Sequence, residues 1–248
     1  MNTGPIFALD RFAGPQTAIA AMDPRSGYLL SLIGGSDFDV SQVDRTRSLR
    51  PTGSTIKPVY YSKAYDMGIP PSTVVSGAPF RDKDWRPHGE HTADDMPLFQ
   101  ALTHSENAIS LRLFKTVLER VGIDGLNDWA RRLGLSRPFE GYPAEALGAD
   151  QAPMDLLTAY GTFATLGIGV QPVLVKRIRD GNGHTLLDRR SARDATVPLL
   201  DALGLAVGAP TEDSRRVITA EASWLITQNL HNVAVEGTAR ASRKLGRP

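Results

Sequence analysis

Short apolar runs separated by turn-forming residues lie near both ends of the chain. Residues 17–22 and 28–33 are apolar and enclose the sequence Asp-Pro-Arg-Ser-Gly, in which proline presets φ and glycine accepts a positive φ. Residues 172–179 and 184–187 flank Asp-Gly-Asn-Gly in the same way. Each pair of runs predicts a β-hairpin, because two extended segments joined by a short glycine-containing turn pair antiparallel.

Apolar residues between these hairpins recur at the three- and four-residue spacing of amphipathic helices. In the clearest case Ile109, Leu113, Val117 and Val121 form one stripe. Gly134 is expected to end the next predicted helix, at residues 126–133, since glycine readily adopts the left-handed conformation at helix C-termini. Helices are predicted at residues 54–65, 109–121, 126–133, 156–166 and 222–233.

Three further segments are predicted to contain no long regular element. Residues 1–15 carry several glycines and prolines and form a lead-in, residues 36–53 are polar, and residues 68–97 are rich in proline. Hairpins near both ends with helices between them favour an α+β fold, in which an antiparallel sheet packs against a helical cluster. The 248 residues suffice for a large core, and residues 16–248 are interpreted as one domain.

Composition narrows the function classes without locating a site. Hydrophobic residues make up 41% of the chain and charged residues 22%. The net charge is only +1, so the protein as a whole has no strong positive potential that would attract nucleic acid. The chain has no cysteine, which excludes disulfides and thiolate nucleophiles. His88 and His91 have a spacing that some metal ligands use, but the adjacent proline and glycine favour a loop, and no metal site is predicted.

Ser54 and Lys57 are the first candidates for chemistry. Three residues apart on a helix, their side chains lie on one face, with Cβ atoms about 5 to 6 Å apart. A desolvated lysine can lose its proton and act as a base toward a serine hydroxyl. Gly53 allows a sharp turn into the helix, and Pro58 is tolerated only near the helix start because proline lacks an N–H. The sequence therefore predicts a nucleophile and its base at a helix N-terminus, although this spacing also arises by chance.

Ser105 and Asn107 are the second candidate pair, on either side of Glu106. A hydroxyl at Ser105 could relay a proton between a base and a leaving amine, and the Asn107 amide could hold both a lysine and a substrate carbonyl. The alternative is a helix N-cap, since Ser105 precedes the apolar helix that begins near Ile109. Both roles are compatible with one another.

The segment 50–58, Arg-Pro-Thr-Gly-Ser-Thr-Ile-Lys-Pro, resembles the active-site serine motif of class A penicillin-binding proteins. The resemblance covers most of the chain. It extends to the opening hairpin of the family's transpeptidase domain, at residues 20–27 and 32–38, and to its second motif and the helix around it, at residues 100–107. It also extends to a later helix, at residues 146–148 and 157–160, and to the approach to the third motif, at residues 236–239 and 245–248.

This resemblance implies the fold of serine β-lactamases and transpeptidases, an antiparallel sheet flanked by helices with a mostly helical subdomain. It implies acyl transfer, in which Ser54 attacks the D-Ala-D-Ala bond of a peptidoglycan stem peptide and its own N–H is one oxyanion donor. Lys57 would be the base, Ser105 the proton relay, and Asn107 the residue that positions Lys57 and the substrate. The acyl group would pass to an amine of a neighbouring stem peptide. β-Lactam antibiotics would acylate the same serine, and no cofactor or metal is implied.

The resemblance also implies a location at the periplasmic face of the cell membrane, with other cell-wall synthesis proteins as possible partners. The sequence itself shows no signal peptide pattern and no apolar run near the roughly 20 residues of a membrane span. Taken alone, it predicts a soluble protein. Class A members carry a membrane anchor and a glycosyltransferase domain before the transpeptidase domain, so the chain is expected to be truncated at its N-terminus.

The family's third motif, Lys-Thr-Gly on a strand beside the site, is absent. Lys244-Leu245-Gly246 resembles the motif superficially, but leucine supplies no hydroxyl. The motif is expected a few residues beyond Pro248, so part of the sheet would be missing. Because that strand supplies an oxyanion N–H, whose loss costs about a hundred- to a thousand-fold in rate, the chain alone is expected to be weakly active or inactive.

Trp85 and Thr238 are further candidates for substrate binding. Trp85 lies in the loop before the second motif and could line the cleft, or it could simply cover the core. Thr238 matches the family pattern, but the alternative is that it does no more than shape a turn. Two other functions stay open: a carboxypeptidase or β-lactamase-type hydrolase with the same nucleophile, and a degenerate module that binds peptide without turnover.

Overall fold

The structure is a computed structural model that describes residues 15–87, 94–190 and 216–246. Eight strands, all paired antiparallel, occur within these ranges. They are β1 Ile19–Met22, β2 Leu29–Ile33, β3 Arg50–Pro51, β4 Val74–Val75, β5 Met96–Pro97, β6 Asp150–Gln151, β7 Arg177–Arg179 and β8 Thr185–Asp188.

The same ranges contain five α-helices and three short 3₁₀ helices. The α-helices are α1 Lys57–Asp66, α2 Leu98–His104, α3 Asn107–Arg132, α4 Pro153–Ala164 and α5 Ala220–Val235. The 3₁₀ helices are Gly53–Ile56, Pro143–Leu147 and Arg240–Leu245.

The first predicted hairpin is present as β1 and β2, which pair from Ile19 opposite Ile33 to Met22 opposite Leu29. Its turn is closed by Asp23, whose carboxylate accepts a bond from the Ser26 hydroxyl at 2.5 Å. Gly27 has a φ of +75°, and a Cβ there would lie 2.3 Å from the carbonyl oxygen of Gln171. Glycine is therefore required at this turn for both conformation and space.

The second predicted hairpin is shorter than the sequence indicated. Only Arg177–Arg179 and Thr185–Asp188 pair, as β7 and β8. Val173, expected in the same strand, instead lies parallel to Tyr28 at the first hairpin, where its N–H donates to the carbonyl of Gly27 at 2.8 Å. Because Val173 pairs with the first hairpin, the beginning of the predicted strand does not take part in the second hairpin.

Helix α1 is the central helix of the fold. Eight of its residues, including Tyr60, Tyr61 and Lys57, are buried, as expected of a helix enclosed on all sides. It packs between α3 and α5. Trp129 of α3 anchors this contact, because its indole N–H donates to the carbonyl of Val59 at 3.1 Å.

Helix α3 unites the two helices predicted at 109–121 and 126–133. The segment is continuous from Asn107 to Arg132 but breaks at Gly122, whose φ of 70° and ψ of 173° are not helical. The two predicted amphipathic stripes therefore belong to separate helical parts on either side of this glycine. Gly134 follows with a φ of 97°, in agreement with its predicted place at the helix end.

The remaining helices differ from expectation mainly in their bounds. Helix α4 begins at Pro153, three residues earlier than predicted, and α5 begins after Thr219, whose hydroxyl accepts from the N–H of Ala222. Helix α2, only seven residues long, is too short to be predicted from periodicity, and only the resemblance at residues 100–107 indicated a helix there. Within the described residues, no helix is long and apolar enough to cross a membrane.

Candidate active site

The loop before α1 places Ser54 at the edge of the helical core. Strands β3 and β6 pair Arg50 with Gln151, and next to them Thr52 donates through its hydroxyl to the carbonyl of Ala149 at 2.7 Å. Gly53 then turns the chain with a φ of +55°. Ser54 follows in the 3₁₀ turn Gly53–Ile56 and is exposed to solvent, as a nucleophile must be to reach a substrate.

Lys57, the first residue of α1, is completely buried. Its Nζ donates to the carbonyl oxygen of Ser105 at 2.7 Å, to Oδ1 of Asn107 at 2.9 Å and to Oγ of Ser105 at 3.1 Å. Burial lowers the pKa of Lys57 to about 8, while the negative charge of Glu106 acts to raise it. An ammonium that is desolvated yet fully hydrogen-bonded can exchange its proton near neutral pH.

The backbone at Ser105 explains why two residues of one short segment both reach Lys57. Ser105 adopts the left-handed conformation, with φ 61° and ψ 37°, directly after α2. The N–H of Glu106 closes the turn on the carbonyl of Ala101 at 2.8 Å, and α3 begins at once with Asn107. This reversal leaves the side chains of Ser105 and Asn107 on the same side, toward Lys57.

The structure corrects the alternative reading of Ser105 as a helix cap. The N-cap residue of α3 is Glu106, and no side chain caps this end of the helix. Instead, the Ser105 hydroxyl donates to Oγ of Ser54 at 2.9 Å and accepts from Lys57. A hydroxyl engaged with two functional groups is placed to move a proton between them.

Ser54 and Lys57 are therefore connected through Ser105. Since residues i and i+3 eclipse in a 3₁₀ turn, Ser54 lies above Lys57 as the spacing predicted. Among the hydrogen bonds described for this segment, however, Nζ reaches Oγ of Ser54 through the Ser105 hydroxyl. The four predicted residues come together, in the order Ser54, Ser105, Lys57, Asn107.

Several residues around this cluster were missed by the sequence analysis. Glu106 is one, since its carboxylate acts on the charge of Lys57. Tyr160 is another, because its hydroxyl donates to the carbonyl of Thr55 at 3.0 Å and ties α4 to the turn that carries Ser54. Both residues lie in segments that the sequence analysis had singled out, but no role was predicted for either of them, so only their neighbours in space reveal what they do.

The contacts described for Trp85 are with residues other than the four predicted catalytic residues. It is half-buried and stacks edge-on against Phe80, with ring centroids 6.3 Å apart. Its backbone pairs with that of Asp82. This placement matches an aromatic that covers the core, which was the alternative to a role in the cleft. His88 and His91 lie outside the described residues.

Thr238 lies beside the second motif without joining it. Its N–H donates to the carbonyl of Thr103 at 3.3 Å, two residues before Ser105. The neighbouring Gly237 packs so closely that a Cβ would lie 2.2 Å from the same carbonyl. An open cavity of about 700 Å³ begins here, lined by Gly237, Thr238, Arg240, Ala241, Arg243 and Lys244.

Comparison with known protein families shows which family has a sequence like that of this chain. The sequence profile of the penicillin-binding protein transpeptidase domain matches residues 17–247. Penicillin-binding protein 1A of Pseudomonas aeruginosa is 29% identical over 274 aligned positions, which cover 94% of this chain and 33% of that protein. The chain thus spans about one third of the length of the curated relatives it matches.

Solved structures share the fold. The crystal structure of penicillin-binding protein 1A from Haemophilus influenzae superposes with a TM-score of 0.69 at 24% identity, over 90% of this chain and 36% of that one. The PonA1 protein of Mycobacterium tuberculosis, solved in complex with penicillin V, gives a TM-score of 0.69 at 20% identity, over 89% and 57%. These likenesses confirm the α+β class and the transpeptidase-type fold predicted from the sequence.

Proposed function

Because the chain belongs to the family of penicillin-binding protein transpeptidase domains, we propose that it carries the catalytic site of a peptidoglycan D,D-transpeptidase, with Ser54 as the acyl-accepting nucleophile. The observation that supports this most is the chain of hydrogen bonds from Ser54 through Ser105 to the buried Lys57. It joins an exposed hydroxyl to an amine whose pKa lies near 8, which is the pairing that serine activation requires.

Acylation begins when Lys57 is neutral. Ser54 then passes its proton to Ser105, Ser105 passes its own to Nζ of Lys57, and Oγ of Ser54 attacks the carbonyl carbon between the two D-alanines. The C–N bond of the tetrahedral intermediate breaks. The leaving amine takes a proton from Ser105, which Lys57 replaces. The proton that left Ser54 thus ends on the released D-Ala, and Lys57 returns to its neutral form.

Nζ donates to three acceptors, which matches the three N–H groups of a protonated lysine, and Ser105 donates to Ser54. This is the direction needed to deliver a proton to the leaving amine. When Nζ loses its proton it can accept from Ser105, and the chain reverses to activate Ser54. One set of three groups therefore serves both halves of the acylation step.

Asn107 and the Ser54 N–H are the proposed contacts to the reacting carbonyl region. Asn107 uses its Oδ1 on Lys57, so its NH₂ group is what it can offer to a substrate carbonyl. The Ser54 N–H lies at the beginning of a helical turn, where the backbone dipoles favour a developing negative charge. The acyl-enzyme is then attacked by an amine of a second stem peptide.

The proposed partners follow from this chemistry. Peptidoglycan stem peptides are both donor and acceptor, and β-lactams react at Ser54 because they present a strained amide to the same nucleophile. PonA1, which shares the fold, was solved with penicillin V. The proposed location is the periplasmic face of the cell membrane. Other cell-wall synthesis proteins are proposed to act beside it.

An acyl-transfer assay tests this function against its two rivals. The chain is incubated with an N-acyl peptide that ends in D-Ala-D-Ala, with and without a D-amino acid as acceptor. We expect slow transfer of the acyl group to the D-amino acid, because the chain contains no Lys-Thr-Gly motif, and no product from Lys57→Ala. Release of the free acid alone would point to a carboxypeptidase or a β-lactamase-type hydrolase. Bound but unchanged peptide would point to a non-catalytic binding module.

A further inference from the structure

Helix α1 touches the beginning of α3 at two polar points, and only the first of them belongs to the mechanism above. Lys57 and Tyr61 are four residues apart and so share one face of α1. Nζ of Lys57 binds Ser105 and Asn107. The Tyr61 hydroxyl lies 3.1 Å from Oγ of Ser110, one turn further along α3.

The second point is linked to the first through the backbone. The Ser110 hydroxyl donates to the carbonyl oxygen of Glu106 at 2.6 Å. A serine hydroxyl has one proton, so Ser110 must accept from Tyr61, and Tyr61 is the donor of that bond. The Glu106 carbonyl belongs to the peptide group that joins Glu106 to Asn107. Tyr61 therefore acts, through Ser110, on the segment that presents Asn107 and Ser105 to Lys57.

Burial makes this connection hard to replace. The side chains of Lys57, Tyr61 and Ser110 are all fully buried, so solvent is not at hand to substitute for a lost partner. Burial also raises the pKa of the Tyr61 phenol well above its ordinary value, and the hydroxyl keeps its proton throughout the working range. Ser105, meanwhile, holds a left-handed conformation that a serine adopts only when its surroundings enforce it.

A serine that bonds to the carbonyl four residues earlier is common in helices, and α3 contains another example. Thr116 donates to the carbonyl of Arg112 at 2.9 Å. What distinguishes Ser110 is the phenol of the neighbouring helix, which binds the same hydroxyl, and its place one turn after the motif. Thr116 is therefore a matched control for the local bond without the link to α1.

We propose that Tyr61 and Ser110 are positioning residues, which lock the Ser105–Asn107 turn onto Lys57 and so set the geometry of the proton chain. This inference rests on the proposed function of Ser54 and Lys57. It adds that the contact between α1 and α3 is fixed by a second, buried hydrogen-bond path parallel to the first. Neither hydroxyl touches the substrate.

Tyr61→Phe and Ser110→Ala each remove one hydroxyl and leave the core shape nearly unchanged. We expect the first-order rate constant for acylation by a fluorescent penicillin to fall about ten- to a hundred-fold, with little change in the concentration that gives half the maximal rate. The double variant should be no slower than the slower single variant, since both hydroxyls act through one path.

The controls separate positioning from general loss of stability. Tyr65→Phe removes another buried phenol of α1, whose hydroxyl donates to Asn229 at 3.0 Å, and Thr116→Val removes the local bond in α3. Both should lower the melting temperature about as much as the test variants and leave the acylation constant unchanged. Equal acylation by wild type and both test variants, or equal slowing in the controls, would overturn the proposal.

A second readout does not depend on acylation. The charged group that acts on Lys57 is Glu106 at the beginning of α3, whereas Tyr61 on α1 stays neutral because burial raises the pKa of its phenol. NMR of the Lys57 Cε in the unreacted chain reports its titration directly. We expect the midpoint to rise in Tyr61→Phe and Ser110→Ala, as the loosened turn admits water, and to stay in place in the controls. An unchanged midpoint would refute positioning, whereas a wild type that forms no adduct at Ser54 would refute the proposed function instead.

Discussion

At the scale of single residues, the charge state of Lys57 decides which way a proton moves through the site. Its pKa is lowered to about 8, mainly by burial and against the field of Glu106. Near pH 7 the amine is therefore mostly protonated, and the neutral form that can activate Ser54 is a minor but accessible species. This balance yields two predictions, one for the rate of acylation and one for stability.

The rate constant for acylation of Ser54 should rise with pH and level off above about 8, because only neutral Lys57 accepts the proton. The measurement is the rate of labelling by a fluorescent penicillin across a pH series, with the stability of the penicillin followed separately. Lys57→Arg is the control, since arginine stays protonated, and should show no labelling. A rate that is flat with pH would contradict a titrating base.

Stability should depend on the same group with a defined sign. The pKa of Lys57 is about 8 in the folded chain against 10.5 for a free lysine, so between these values the unfolded state binds more protons and stability rises with pH. Compared with Lys57→Met, the wild type should gain free energy of unfolding between neutral pH and about pH 10. Urea unfolding of both proteins at several pH values measures this. A constant difference would mean that Lys57 is not desolvated.

At the scale of elements, the junction between α2 and α3 matters most. Helix α2 ends in a left-handed serine, and α3 starts two residues later. The end of α5 holds this junction from outside, through the bond from Thr238 to Thr103 and the close approach of Gly237. A change at Gly237 should therefore reach Ser105 through α2.

Gly237→Ala tests that connection. Its Cβ would lie 2.2 Å from the carbonyl oxygen of Thr103 and 2.9 Å from Cα of Val233, so α5 and α2 must separate. We expect a loss of about 1 to 3 kcal/mol in unfolding free energy together with slower labelling of Ser54. Gly181→Ala is the control, since nothing lies within 4 Å of a Cβ there. Normal labelling in Gly237→Ala would show that α2 is not held by this contact.

The elements also show where sequence reasoning succeeds and where it ends. The four-residue spacing of α3 and the glycine turn between β1 and β2 could be predicted, because both follow from local patterns. The pairing of Val173 with Tyr28 could not, since it depends on a contact between distant segments. The spacing of Ser54 and Lys57 anticipated their place at the helix start. The link through Ser105 depends on the left-handed turn after α2, a helix too short to detect by periodicity.

At the scale of the whole molecule, the chain has a well-packed helical core and a thin sheet region. The hairpin of β1 and β2 exposes large apolar side chains, among them Leu30 at 72%, Ile19 at 51% and Ile33 at 48%. Exposed apolar strands at a sheet edge favour pairing with another copy.

We expect the isolated chain to self-associate through this hairpin. Leu30→Lys places a charge on its most exposed apolar position and should reduce association, as measured by light scattering over a concentration series. Leu186→Lys is a control of similar exposure, 67%, on the second hairpin. Labelling of Ser54 by a fluorescent penicillin should be the same in the wild type, Leu30→Lys and Leu186→Lys. Equal association of wild type and Leu30→Lys would remove the hairpin as the cause.

The central claim is that Ser54 is a nucleophile activated through Ser105 by Lys57. Its most direct test is the intact mass of the chain after incubation with a penicillin, with Ser54→Ala, Ser105→Ala and Lys57→Ala treated in parallel. We predict one added penicillin on the wild type, none on Ser54→Ala, and much slower addition to the other two variants. An adduct that forms equally on Ser54→Ala, or none on the wild type after prolonged exposure, would contradict the account.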